Sequence, residues 1–212
     1  KSLISYTFSR EHGHKNYLIL ENFDIQGMDK YSRVCNLLSN LFNKINQNID
    51  KDPSITHYVN GKNYLPLWVL MNSLSMGDIS KFFANMKQKE RDEVAKRFKW
   101  GIRENQLGNA LFFLSSIRNR CAHDERLYSY LSHTNLINNN YFHYFHSTIT
   151  NNYFAVMVTF KMLLSPKRYN EYHTQLDKLL EGLSFDLKSI PLRQIRGIMG
   201  IPTNWRRLKS LS

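Results

Sequence analysis

Apolar residues recur at three- and four-residue steps through most of the chain, and alternation with a period of two is nearly absent. Between Tyr31 and Ile49, the positions Val34, Leu37, Leu38, Leu41, Phe42, Ile45 and Ile49 form one stripe and predict a helix buried along that side. Asp52-Pro53 and Asn60-Gly61 read as a loop, and Pro66 suits the first turn of a helix opening at Leu67-Trp68-Val69-Leu70-Met71. Met76-Gly77-Asp78 reads as a helix stop with Gly77 left-handed, then a new N-cap at Asp78 and a short helix through Phe82, Phe83 and Met86. Lys87 to Arg97 is charged almost throughout, the pattern of a solvated helical face with Val94 and Phe98 turned inward. Leu107, Ala110, Leu111, Leu114 and Ile117 make a further stripe, and Tyr153 to Leu164 an apolar segment stopped by Ser165-Pro166. Another helix is expected from Tyr169 to Leu183, and the opening segment from Leu3 to Phe23 reads as a helix end followed by a connector. The predicted class is all-α, a bundle of about six to eight helices. Residues 1–185 form the expected helical domain, and residues 186–212 a basic tail packed on it or extending from it.

Charge narrows the partners. With 29 Lys+Arg against 17 Asp+Glu the formal charge is +12, an excess that repels itself and is usually retained for an anionic partner. Nucleic acid is the first candidate. A membrane is the poorer one, because the apolar run from Phe154 to Leu164 is broken by Thr159 and Lys161 and is too short to span a bilayer. No secretory signal is evident. Cys35 and Cys121 offer neither a disulfide framework nor a zinc spacing, so a cytoplasmic location is expected, and neither a cofactor nor a metal is. The tail from Lys188 to Lys209 carries six basic residues and no acid, and the start at Lys1 rather than Met suggests a fragment of a longer protein.

The densest chemistry lies in Ile117-Arg118-Asn119-Arg120-Cys121-Ala122-His123-Asp124-Glu125-Arg126-Leu127, directly after an apolar helical stripe. A guanidinium charged at every accessible pH, beside an imidazole that titrates near neutrality, can grip a phosphodiester and move a proton next to it. At roughly 100° per residue, positions five apart on a helix point about 140° away from each other. Either the helix ends or kinks near Ala122, or Arg118 and His123 contribute to a site completed by a second copy of the chain, as in a symmetric dimer. The structural alternative is that Arg118 and Arg126 pair with Glu125 or Asp124 and finish a helix end. Cys121 reads as a small buried side chain, His143 and His146 lack a third metal ligand, and Trp68, Trp100 and Trp205 read as core anchors.

Arg118 and His123, with a polar residue following the Arg, resemble the Arg-x4-His motif of HEPN domains, which are helical ribonucleases. The surroundings are more specific and resemble the Abi-like family of abortive-infection proteins, of the AbiD/AbiF type, in four blocks. These are Tyr6-Thr7-Phe8-Ser9 with Asn16-Tyr17-Leu18; Leu65-Pro66-Leu67-Trp68-Val69-Leu70 with Ser75-Met76-Gly77; Ile117 to His123 with Glu125-Arg126-Leu127; and Met199-Gly200-Ile201-Pro202 with Asn204-Trp205. They run in family order across nearly the whole chain, while the family's usual N-terminal stretch is missing. Two positions depart from the pattern: Arg120 stands where an aliphatic residue is commoner, and Asp124 where a second His is frequent.

The resemblance implies a HEPN-like bundle, a homodimer and metal-independent RNA cleavage. In that reaction the ribose 2′-hydroxyl attacks the adjacent phosphorus, leaving a 2′,3′-cyclic phosphate and a 5′-hydroxyl, so DNA is not an expected substrate. His123 is the expected general acid/base, Arg118 holds the phosphate, and Asn119 orients His123 or donates to phosphate. Arg120, Arg126, Tyr128, Trp205, Arg206 and Arg207, with the charged segment from Lys87 to Arg103, are the expected RNA-binding surface. The competing function class is a non-catalytic or restrained RNA-binding module that holds a structured small noncoding RNA. A toxin silenced by a protein antitoxin is a third.

Overall fold

The computed structural model describes residues 1–98 and 101–211. In chain order the α-helices are α1 (Ser2–His12), α2 (Met28–Asn48), α3 (Pro53–Lys62), α4 (Leu67–Ser73), α5 (Met76–Asn85), α6 (Gln88–Lys96), α7 (Glu104–Ala122), α8 (Asn140–Tyr144), α9 (Tyr153–Leu163), α10 (Pro166–Asp186) and α11 (Leu192–Ile198). Two 3-10 helices, Leu20–Asn22 and Trp205–Lys209, complete them, and no strand occurs among the described residues. The all-α class is as expected, but the helices outnumber the expectation. Several are short, and periodicity does not resolve elements of five to ten residues such as α3, α4, α8 and α11.

Side chains that accept from the orphan amides of the first turn start many of these helices. Asp52 accepts from Ser54 N with Pro53 in the first turn, so the segment that reads as a loop is α3, ended by Asn63 in the left-handed conformation. Ser75 and Asp78 form a reciprocal capping box on α5. Gly77 therefore lies inside the helix rather than at a stop, and the N-cap is Ser75 rather than Asp78. Burial works against the charge of Asp78, yet hydrogen bonds from Ser75 and from Asn40 Nδ2 (2.7 Å) hold its carboxyl below the ordinary range. Asn152 and Ser165 cap α9 and α10 by accepting from the amides of Ala155 and Arg168, and the Ser165-Pro166 stop is also the next helix's start.

The chain divides into two compact units, residues 1–97 with 103–112, and residues 98–102 with 113–212. In the first, α1 packs on α4 and α6, and α2 on α5. Its centre is the ring cluster of Phe8, Phe23 and Phe82, with centroids 5.0–5.4 Å apart. On α2 the stripe buries Val34, Leu37 and Leu41, while Phe42 is exposed. The solvated face expected of α6 carries a buried exception, Glu90, whose Oε1 lies 2.5 Å from His12 Nε2 and whose carboxyl burial pushes upward in pKa. In the second unit, Phe142, Phe145 and Phe154 form one ring cluster, and Tyr169, His173 and Trp205 another. The basic tail is built into this unit, because Trp205 and Leu208 are buried and the last 3-10 helix contacts α9 and α10.

How α7 ends decides the geometry of everything after it. Asp124 adopts φ 53°, and the Asp124 and Glu125 amides turn back to the carbonyls of Cys121 (3.4 Å) and Arg120 (3.1 Å). That pairing is a Schellman closure, with His123 as the C-cap and an aspartate where glycine is commonest. Replacing Asp124 with Gly removes the left-handed penalty and should raise stability by up to about 1 kcal/mol, whereas Asp124→Val should lower it. Thermal denaturation of the two variants checks this, and equal melting temperatures would contradict the closure. At Gly200, φ is +70° and an added Cβ would run into the Asn152 side chain that caps α9. Gly200→Ala should therefore cost more than about 1 kcal/mol, seen as a melting temperature lower by a few degrees; an unchanged midpoint would refute the close approach.

Candidate active site

The stripe along α7 faces inward at Leu107, Ala110, Phe113 and Ile117, while Leu111 and Leu114 are only half-buried. Phe113 thus stands where periodicity placed its neighbour Leu114. Ser116 Oγ, hydrogen-bonded to Phe113 O (2.8 Å) and 3.1 Å from Ser132 Oγ, ties the penultimate turns to the segment that follows. This anchored face leaves the opposite side of the last turns in solvent. Arg118, Asn119, Cys121, His123, Asp124, Glu125 and Arg126 are all exposed. Cys121 is consequently not the buried side chain expected.

Within this exposed stretch the charges sort themselves. Arg120 is clamped, with Nη1 paired to Glu125 and its guanidinium stacked 4.2 Å from the Tyr130 ring centroid. Both contacts hold the Schellman turn closed, so Arg120 is a strut rather than an open phosphate ligand. Arg126 lies over the Tyr128 ring at 5.6 Å. Arg118 contacts Asn119 Oδ1 at 3.4 Å, and among the described residues no carboxylate pairs with it or with His123. The expected alternative, in which Arg118 pairs with Asp124 or Glu125, is therefore not what the structure adopts.

The helix does end at Ala122, one of the two expected solutions to the spacing problem. It does not bring the pair onto one face. His123 N still bonds to Asn119 O and Arg120 O (both 3.2 Å), so His123 remains on the helical spiral. Arg118 and His123 are thus separated by about 140° around the axis and about 7.5 Å along it. Among the described residues, no hydrogen bond or ring contact joins the two side chains.

The expected RNA-binding residues of the tail fare differently. Trp205 is 1% exposed and its ring lies 4.6 Å from that of His173, so the tryptophan is a core residue with no face for a ligand. Arg206 pairs with Asp177 (2.6 Å) and Glu181 (3.1 Å) of α10, so acids from outside the acid-free tail neutralise part of it. Arg207 is exposed and has no carboxylate partner among the described residues. In the Lys87 to Arg103 segment, Arg91 pairs with Glu104 at 2.9 Å. Lys99 and Trp100 lie outside the described residues. Trp68, expected in the core, is 53% exposed.

Sequence reasoning missed Tyr130, the shelf beneath Arg120. It also missed the Tyr153 and Tyr172 hydroxyls, 3.4 Å apart, which burial pushes upward in pKa and whose Tyr153 member feels Cys121. No spacing links these residues to the motif; only the fold does. His146 sits beyond α8 with φ 51°, so it does not share a helix with His143, and no group of three His, Cys, Asp or Glu suited to a metal occurs among the described residues. No described helix is long and apolar enough to cross a membrane.

Comparison with curated proteins and with solved structures returned no match. The sequence model of one family, the Abi-like proteins, matches residues 1–129. That span takes in the blocks at Tyr6, Leu65 and Ile117, whereas the block from Met199 to Trp205 lies beyond it. It starts with α1 and stops just past the turn that carries His123. Because the match covers more than half of the 212 residues and includes the whole of α7, the chain belongs to the Abi-like protein family.

Proposed function

We propose that this chain is a metal-independent endoribonuclease of an antiphage abortive-infection system, acting in the cytoplasm through a HEPN-type pair formed by Arg118 and His123. The observation that carries the reading is the state of that pair: both side chains are exposed at the closed end of α7, and neither is neutralised by a carboxylate of the described residues. Glu125, the acid placed to quench the site, is occupied by Arg120. Family membership supplies the abortive-infection context, and the net charge of +12 favours a polyanionic partner.

Mechanistically, His123 takes the proton from a ribose 2′-hydroxyl, or returns one to the departing 5′-oxygen, while Arg118 holds the phosphate and the charge that develops on it. Asn119, in contact with Arg118, orients the guanidinium or donates to a phosphate oxygen. The divergence of Arg118 and His123 along one α7 is resolved by a homodimer in which the α7 ends of two copies face one another. Each cleft then takes its Arg118 and its His123 from different protomers.

The second reading is an RNA-binding module that holds a structured small noncoding RNA without cutting it. It is favoured by the exposed stack of Arg126 on Tyr128 beside the motif, which binds RNA whether or not the bond breaks. Wild type, Arg118→Ala and His123→Ala incubated with end-labelled single-stranded RNA in EDTA separate the two. Cleavage leaving 2′,3′-cyclic phosphate ends, reduced about 10²- to 10⁴-fold in each variant and absent on DNA of the same sequence, is the expected result. Equal cutting by all three proteins would remove the site, and tight binding with no cutting by any would establish the second reading.

A further inference from the structure

Away from the end of α7, a cleft of about 400 Å³ opens between α1 and α4. Tyr6 and Ser9 line it from one face of α1, Trp68 and Asn72 from one face of α4, and His14 closes one end. The connector is pinned there because Leu67 N donates to His14 O at 2.8 Å. Lys1 Nζ donates to the carbonyls of Asn72 (3.2 Å) and Leu74 (2.8 Å), so that ammonium braces the wall rather than facing a ligand.

The cleft's two large rings are incompletely covered. Trp68 is 53% exposed and Tyr6 58%. The indole is not loose, because Tyr58 meets it edge-on at 5.6 Å and 88°. Such a brace fixes the ring's orientation and leaves much of its surface to water, an arrangement that suits a flat partner. Polar capacity is present too: Ser9 Oγ is buried without a hydrogen-bond partner, and the Asn72 amide lies at the rim. The flanking charge is that of Lys15, whose Nζ lies 6.0 Å from the Tyr64 ring; His14 rests against the same ring at 5.4 Å, and no carboxylate lines the cleft. Rings for stacking, an unsatisfied hydroxyl for a polar edge and a lysine for a phosphate together match one ligand chemistry, a nucleotide.

We propose that this cleft is a stacking site for a nucleobase of single-stranded RNA, with Trp68 and Tyr6 as the platform and His14 and Lys15 facing the sugar-phosphate backbone. The proposal rests on the RNA reading above only for the identity of the polymer. It adds a binding subsite in the first unit that is separate from the Arg118 motif. An acidic or aromatic peptide is the competing occupant that the test separates from it.

The test measures binding of a short labelled oligouridylate by anisotropy, at several KCl concentrations and in EDTA, with His123→Ala as the parent so that the probe stays intact. Trp68→Ala and Tyr6→Ala should each weaken binding by about fivefold or more with an unaltered salt slope, while Trp68→Phe stays within about twofold. Lys15→Ala should make the salt slope shallower by about one. Circular dichroism identifies any variant that fails to fold, and Tyr6→Ala and Trp68→Phe then carry the comparison. Unchanged affinity in both alanine variants would overturn the proposal and leave the cleft to a peptide. Weakened binding with no cleavage by wild type sinks the nuclease reading and keeps this one, and motif-dependent cleavage with unchanged binding does the reverse.

Discussion

The proposed chemistry depends on a single backbone event, the left-handed turn at Asp124 that stops α7. Had the helix continued, Glu125 and Arg126 would follow His123 up the spiral and the imidazole would sit mid-helix. Instead the amides of Asp124 and Glu125 fold back on the last turn, and His123 becomes its terminal residue. Arg120 secures the closure from both sides, through Glu125 and through the Tyr130 ring. One cation is thereby withdrawn from ligand binding so that another, Arg118, can remain unpaired. The buried line of Leu107, Ala110, Phe113 and Ile117 fixes which side of the helix is left in solvent.

Ion pairing also decides which individual cations stand open. Arg10 is committed to Glu11 and Glu93, Arg91 to Glu104, Arg120 to Glu125, and Arg206 to Asp177 and Glu181. These pairs are mostly exposed and contribute little stability each, yet they cancel the local fields that a count of lysines and arginines implies. Of Arg118, Arg120, Arg126, Arg206 and Arg207, only Arg118, Arg126 and Arg207 pair with no carboxylate of the described residues. On the proposed RNA reading, the exposed rings Trp68, Tyr6 and Tyr128 contribute alongside charge.

Long elements were legible in the chain because burial imprints a period on them. The α2 stripe and the helix after Ser165-Pro166 fall where spacing puts them. Short ones were not, because the same residues serve two purposes. Asp52-Pro53 looks like a turn and is an N-cap with its first-turn proline; Gly77 looks like a stop and occupies the second position inside a capping box. The candidate site was legible as a segment, and so were its helix end near Ala122 and the divergence of Arg118 and His123, but the clamp of Arg120 between Glu125 and Tyr130 was not. Nothing local tells that Trp205 lies in the core while Trp68 stands half in solvent, because residue type sets how much area a ring can bury and only the fold sets whether it does.

The central claim is that Arg118 and His123, pointed apart on one α7, act on the same phosphodiester from different copies of the chain. Subunit exchange tests it most directly. Arg118→Ala and His123→Ala proteins, each inactive alone, are mixed, unfolded and refolded together, then assayed on labelled RNA. A shared site predicts recovery, because half of the dimers are mixed and each of these holds one intact pair, giving about a quarter of wild-type activity. A mixture as inactive as its components would contradict the account.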